Sequence, residues 1–342
     1  MSTGSGAGGW TTGVYPRLFG AFAALVAAAG AVLVVALLVH GLPAVASNSA
    51  AVPASALAPA AQAAPAVPSL SATAFPVPPP GSVVFGQQYG HDALGLAVKP
   101  DGNRVGLQAS LVKVTDSAGK PVRARFAVEG AGGKKVVTAV PCGNGCYRAT
   151  AAVAKPRKVT VFLAGHKPSG ATFALPAAWP PRNGAAIVAA AERAWLKLRT
   201  LVIRDHLGDG QNTLNTVWTI VAPDKLAFAI NDGEQSIVIG NTRWTKPVGS
   251  SKWVTSPQLP VKQPQAFWVS ATDAHVLGTV SVGGKPAWKI SFFDPKTPGW
   301  YTIVVDKSTM RTVEMWMTAQ AHFMHDRYGP FDAPIKIRPP TT

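Results

Sequence analysis

Cys142 and Cys146 are the only cysteines in the chain, and they bracket Gly143-Asn144-Gly145. Outside a reducing compartment, two thiols around a glycine-rich turn close a disulfide that staples a hairpin; a dithiol that takes Cu(I) or cycles redox state is the sharper alternative. Near the C-terminus, Met315 and Met317 are followed by His322, Met324 and His325. Imidazole and thioether suit copper, which makes His322, Met324 and His325 candidate ligands. Strand alternation carried through this stretch sets Met315 with Met317 on one face and His322 with Met324 on the other. On that reading the methionines continue an apolar stripe and do not join a metal cluster. His206 with Asp205 and Asp209 invites an acid–base reading. They follow a predicted helix in a glycine-containing stretch without a partner nucleophile, so they read as solvated loop charges. No Ser-His-Asp order, Walker loop, dinucleotide glycine turn or His-Glu-x-x-His motif occurs, and the expected role is non-enzymatic.

Charge placement says more than the net charge of +16. Before Lys99 the only basic residue is Arg17, so the distal part carries nearly all of the positive charge. A cationic region outside the cell is drawn to anionic headgroups or envelope polymers. The Lys and Arg residues are scattered among strands with no nucleic-acid motif, which argues against nucleic acid as a partner. The 30 prolines and 33 glycines favour many turns between short strands.

These residues have to be positioned relative to a membrane. Leu18 to Val39 holds about 22 residues without a charge, long enough as a helix to cross the hydrocarbon core. A transmembrane helix is therefore expected at 18–40, after a cytoplasmic head at 1–17 that carries Arg17. The competing reading is a signal peptide cleaved after Ala44-Val45-Ala46, but the apolar run exceeds a usual signal core. Either reading exports the remainder, and the uncleaved anchor gives a single-pass membrane protein with its C-terminal domains outside. Residues 41–81 are rich in Ala, Pro and Ser and end in Pro78-Pro79-Pro80, the composition of an extended tether.

Residues 82–178 alternate short apolar runs with turn signals such as Pro100-Asp101-Gly102, the pattern of an all-β, immunoglobulin-like sandwich. From 183 onward the pattern changes. Ile187, Ala191, Ala194, Leu198 and Leu201 fall at helical spacing with Asn183 as N-cap, and strands follow. One helix and a meandering antiparallel sheet over 183–342 make an α+β domain. Period-two alternation assigns Leu214, Trp218, Ile220, Leu226, Phe228 and Ile230 to one apolar face. The same face receives Trp288, Ile290 and Phe292, then Tyr301, Ile303, Met315 and Met317. These thirteen are the candidate lining of a ligand cavity. Trp218, Trp244, Trp253, Trp268, Trp288, Trp300 and Trp316 crowd this domain, and their expected places are an inward ring or a headgroup-facing one.

This order of elements, with Asn241-Thr242-Arg243-Trp244 in a hairpin and Asp294-Pro295 before Gly299-Trp300-Tyr301, resembles the lipoprotein carrier superfamily that includes LolA and LppX. The resemblance implies a half-barrel closing over a helix and holding a lipid or lipoprotein-like ligand. The sandwich, through Ala118-Gly119-Lys120-Pro121-Val122 and Gly145-Cys146-Tyr147-Arg148-Ala149, resembles the extracytoplasmic part of actinobacterial copper-transport and copper-resistance membrane proteins. That resemblance implies an alternative role as a copper accessory beside a separate permease; a structural adaptor for another envelope protein is the third.

Overall fold

The computed structural model describes residues 76–113, 123–143, 145–165, 168–265, 268, 270–320 and 322–341. The expected head, membrane helix and most of the tether lie outside the described residues, as does Lys120-Pro121-Val122. Among the described residues no helix is long and apolar enough to cross a membrane.

Nine strands form the first region: β1 (Val83–Tyr89), β2 (Asp92–Asp101), β3 (Arg104–Lys113), β4 (Ala124–Ala131), β5 (Gly133–Thr138), β6 (Val140–Gly143), β7 (Cys146–Ala151), β8 (Ala154–Leu163) and β9 (Ala171–Ala174). They make a five-stranded sheet in the order β1-β2-β3-β7-β6 and a four-stranded sheet in the order β5-β4-β8-β9. Leu94, Leu96, Val105, Leu107 and Leu111 from one sheet share a core with Phe126, Val128, Val159, Val161 and Phe173 from the other. The expected two-sheet sandwich is therefore present. The apolar run Lys135 to Val140 divides in two, because the chain changes sheets between β5 and β6 at Ala139. Cys142 and Cys146 form a disulfide across the β6–β7 hairpin, with Cα atoms 5.0 Å apart.

The second region holds one helix, α1 (Ala185–Trp195), and the strands β10 (Thr200–Gly208), β11 (Thr213–Val221), β12 (Lys225–Ile230), β13 (Gln235–Ile239), β14 (Thr242–Lys246), β15 (Val254–Pro257), β16 (Thr272–Val282), β17 (Lys285–Asp294), β18 (Gly299–Asp306), β19 (Thr312–Ala319) and β20 (His322–Phe331). These eleven strands form one antiparallel sheet in the order β15-β14-β13-β12-β11-β10-β20-β19-β18-β17-β16. Only the joining of β10 to β20 departs from a simple meander.

The helix is shorter than the expected span. Gly184 is its N-cap, one residue after Asn183, whose Oδ1 accepts the Ala185 N–H at 2.7 Å. It ends at Trp195, and Leu201 belongs to β10. Its buried residues are Val188, Ala191 and Trp195, with Leu198 just beyond, so the stripe is rotated from the one read off the sequence.

One face of the large sheet carries the helix and the other carries the sandwich. On the helix face, the Trp195 ring meets Tyr328 edge-on at 5.2 Å between centroids. On the opposite face, Phe293 and Trp300 share a second core with Val84, Ala93, Ala97 and Val112 of the five-stranded sheet. The sequence of β2 explains how two sheets approach so closely. Leu94, Leu96 and Val98 point into the sandwich, while Ala93, Gly95 and Ala97 present small side chains outward. Gly95 is paired with Gly86, and a Cβ on Gly95 would stand 2.1 Å from the Trp300 ring. The glycine pair is thus a seat for one indole.

Candidate functional site

The helix face of the sheet is the candidate site, and cross-strand register defines it. Ile203 of β10 is opposite Trp218 of β11, Trp218 is opposite Phe228 of β12, and Phe228 is opposite Ser236 of β13. In the other direction Ile203 is opposite Tyr328, and Met315 faces both Asp326 and Ile303 across β19 and its neighbours. Partner residues in a ladder share a face. Leu214, Trp218, Ile220, Leu226, Phe228 and Ile230 therefore share the helix face with Ile290, Phe292, Tyr301, Ile303, Met315 and Met317, as does Trp288.

Burial divides these thirteen into two kinds. Ile290, Phe292, Ile303 and Met315 have no accessible surface, and Tyr301 retains 3%. Their surroundings are protein: Phe292 stacks on Tyr301 at 5.1 Å and meets Trp268 at 5.6 Å. Such side chains act as core. Trp218, Ile220 and Leu226 are buried too. Leu214, Phe228, Ile230 and Met317 are half-buried, and they are the ones with surface to offer a ligand. Trp288 is also half-buried but is already capped, with the Arg182 guanidinium 4.2 Å and the Lys307 ammonium 3.4 Å from its ring centroid.

At the centre of this face lies a pair that reading by sequence order misplaces. Asp205 is a strand residue in β10, not a solvated loop charge; it is 7% accessible and stands directly opposite Asp326, which is 1% accessible. The Trp218 indole N–H donates to Asp205 Oδ2 at 3.4 Å, and the Tyr328 hydroxyl donates to Asp326 Oδ2 at 2.8 Å. Asp205 Oδ1 and Asp326 Oδ1 are buried without a donor among the described residues, and two adjacent buried carboxyls resist ionising together. Burial pushes the Asp326 carboxyl well above the usual carboxylate range, and the Asp205 charge pushes it further. Burial raises Asp205 as well, against the opposing effect of the hydrogen bond from Trp218 and the charges of His206 and His322. Tyr328, buried beside this pair, is held well above its ordinary value by burial and by the Asp326 charge. The result is a pair of adjacent acids inside an apolar layer, both held above the usual carboxylate range by burial. A catalytic carboxyl pair has to reach a substrate, whereas these two are covered by side chains. The alternation Leu201, Ile203, Asp205 and Leu207 carried the signal that finds Asp205, since it sets the acid on the apolar face.

His206 points the other way; it is exposed and its Nδ1 lies 2.8 Å from Asn215 Oδ1. Asp209 is a turn residue whose Oδ1 accepts the N–H groups of Gln211 and Asn212. The C-terminal candidates are also rearranged. Met317 is opposite Met324 and Ala319 is opposite His322, so Met315, Met317, Met324 and His322 occupy one face. The expected opposition of the two pairs fails because the hairpin between β19 and β20 resets the alternation. His325 lies on the other face, where it stacks on Trp316 at 4.7 Å and its Nε2 is 2.6 Å from Glu314 Oε1. His322, Met324 and His325 are therefore not brought together as one ligand set, and among the described residues no group of three His, Cys, Asp or Glu has metal-holding geometry. Nor do the Trp residues form a single ring: Trp218 and Trp268 are buried, Trp300 is under the sandwich, Trp316 lies on that same outer face, and Trp244 and Trp253 are half-exposed near the β15 edge.

No protein-family model matches the chain, and no curated protein matches it. Among solved structures it is similar to LprF from Mycobacterium bovis, with 12% identity and a TM-score of 0.34 over 46% of this chain and 96% of LprF. It is similar to the Mycobacterium tuberculosis lipoprotein LppX, with 13% identity and a TM-score of 0.35 over 45% of this chain and 99% of LppX. A DUF1329 family protein from Desulfovibrio piger gives 9% identity and a TM-score of 0.24 over 45% of this chain and 94% of that one.

Proposed function

We propose that this protein is a non-enzymatic, membrane-anchored binding protein, exposed outside the cell, that holds a lipid or another apolar ligand against the helix face of its large sheet. The observation that carries this reading is the half-buried row Leu214, Phe228, Ile230 and Met317, which continues the buried core and is only partly covered by the described residues. Apolar side chains of this size left partly wet lose about 25 cal/mol for each Å² that a ligand fails to cover, so an acyl chain laid along them gains on the order of several kcal/mol. Localisation to the membrane rests on the uncharged run Leu18 to Val39, and the extracytoplasmic placement rests on Arg17 before that run and the disulfide after it.

Native mass spectrometry of the full chain released from polymer nanodiscs without detergent tests the reading. A retained adduct of lipid mass that is lost in the Phe228→Trp variant is the expected result. A bare chain mass in the unaltered protein would rule the proposal out.

A further inference from the structure

The β13–β15 end of the large sheet differs in chemistry from the rest of the surface. From Gln235 to Thr272 there is no Asp or Glu, while Arg243, Lys246, Lys252 and Lys262 fall within this stretch. Arg243 is engaged, with its Nη2 2.9 Å from Glu234 Oε1. The three lysines make no ion pair among the described residues, and Lys246 lies 5.7 Å from the centroid of the Trp253 ring.

The same segment presents apolar surface. Val248 is 55% exposed, Val254 57% and Leu259 51%, while Trp244 and Trp253 are half-exposed. All four residues of β15 are exposed. Aliphatic tips, indoles and lysines alternating over one sheet edge match the layering of a bilayer interface: acyl boundary, carbonyl level and phosphate level.

An edge strand is also a template for pairing with a second copy or with an extended peptide. This edge is blunted against that use. Pro257 ends β15 without an N–H to donate, Pro260 follows it, and Pro247 lies in the turn after β14. Charge separates the remaining partners, since a segment with no acid of its own and three lysines complements an anionic surface.

We infer that the β14–β15 hairpin and the segment following it form a docking lip for an anionic phospholipid bilayer, with Val248, Val254 and Leu259 entering the headgroup boundary and Lys246, Lys252 and Lys262 meeting lipid phosphates. The lip stands on its own exposure and charge and does not depend on a ligand being held inside the sheet.

The test uses the full chain, in which Cys142 and Cys146 are already paired, so that a cysteine at 254 is the single labelling site. Val254→Cys carrying an environment-sensitive fluorophore is reconstituted in phosphatidylcholine vesicles with or without phosphatidylglycerol. Val136→Cys, on the sandwich strand β5 and 56% exposed, is the reference position. The expected result is a blue shift and quenching by nitroxide-labelled lipid at 254 only, in anionic vesicles only, reversed by salt. In the Lys246→Gln, Lys252→Gln, Lys262→Gln variant docking weakens by roughly fivefold per lysine. Equal signals in the two vesicle types overturn the inference. So does an equal response at 136 and 254, which would mean general attraction of a basic protein. A shift at 254 that grows with protein concentration in micelles also overturns it, because a second copy would then cover the lip. Ligand mass separates the two proposals: an unchanged adduct with lost docking in the triple variant leaves the lip correct and independent, and an absent adduct with intact docking in the unaltered protein removes only the ligand reading.

Discussion

The two halves of the eleven-stranded sheet are built from the same alternating strands and end in opposite conditions. Strands β17 to β19 have the helix layer on one face and the five-stranded sheet on the other, and Ile290, Phe293, Trp300 and Ile303 are each at most 3% accessible. Strands β12 to β15 run out from the same sheet, yet Phe228, Ile230, Ile237 and Trp244 stay half-exposed and β15 is exposed throughout. Alternation decides which side chains share a face. Whether that face becomes core or surface depends on what is laid over it: among the described residues the first half is covered on both faces, while the second, where Leu226 and Val238 are still buried, is covered only in part. The covered half is therefore the support, and the partly covered half holds the free apolar area that the proposed ligand and membrane contacts would use.

The largest effect expected from breaking this contrast comes from removing the indole that joins the two regions. Trp300→Ala should cost about 3–5 kcal/mol by denaturant unfolding, since it vacates a fully buried site between two sheets. Gly95→Ala, which inserts a methyl where the Trp300 ring already lies, should cost about 1–3 kcal/mol or more. An unchanged midpoint in either variant would mean that the sandwich does not buttress the sheet.

A direct comparison of the halves comes next. Ile303→Ala should destabilise by about 2–5 kcal/mol. Phe228→Ala, at a half-buried position, should cost much less, about 1 kcal/mol, because much of its surface is already in water. Phe228→Ala should nevertheless reduce the retained lipid adduct, while Ile303→Ala at a temperature where it remains folded should not. If stability and ligand loss changed in parallel, the division into support and binding surface would be wrong.

The smallest effect is the pH dependence of the buried acidic pair. Because Asp326 is held above its unfolded value near ~3.9, the folded protein keeps a proton that the unfolded chain releases. Stability from this group is complete below that value and is lost as pH rises through the raised one, with a slope of at most about 1.4 kcal/mol per pH unit for one proton. Asp306 acts in a separate window. The Ser308 hydroxyl and other donors in its turn hold its carboxyl down to about 2, so its contribution is present above ~3.9 and is lost as pH falls toward about 2. Asp326→Asn should flatten the decline on the alkaline side of ~3.9 and leave the acid limb intact, as read from urea midpoints across pH. A wild-type profile that rises with pH through that range would refute the raised Asp326 carboxyl.

Much of the architecture was legible in order along the chain. The apolar runs between turn signals located most sandwich strands, and the glycine turn between Cys142 and Cys146 located the disulfide. The parity of Leu214, Trp218 and Ile220 correctly grouped them with Phe228 and Ile290 on one face. Reading failed where a local rule was carried across a boundary. Parity carried through the β19–β20 hairpin set Met324 on the other face from Met317, whereas the ladder pairs them on one face. Asp205 was assigned to a loop because acids near glycine usually turn, yet it pairs with Asp326, 121 positions away, and two acids so far apart carry no joint signal until β10 and β20 meet.

By itself the sequence determined the elements and the two faces of each strand, because backbone geometry has a fixed period and glycine and proline break it at known places. Only the tertiary structure decided that Gly86 and Gly95 seat Trp300, that Asp205 and Asp326 are buried side by side, and that β14 and β15 lie uncovered. Those properties depend on distances between segments remote in the chain, and such distances are set by the packing of whole layers rather than by any local pattern.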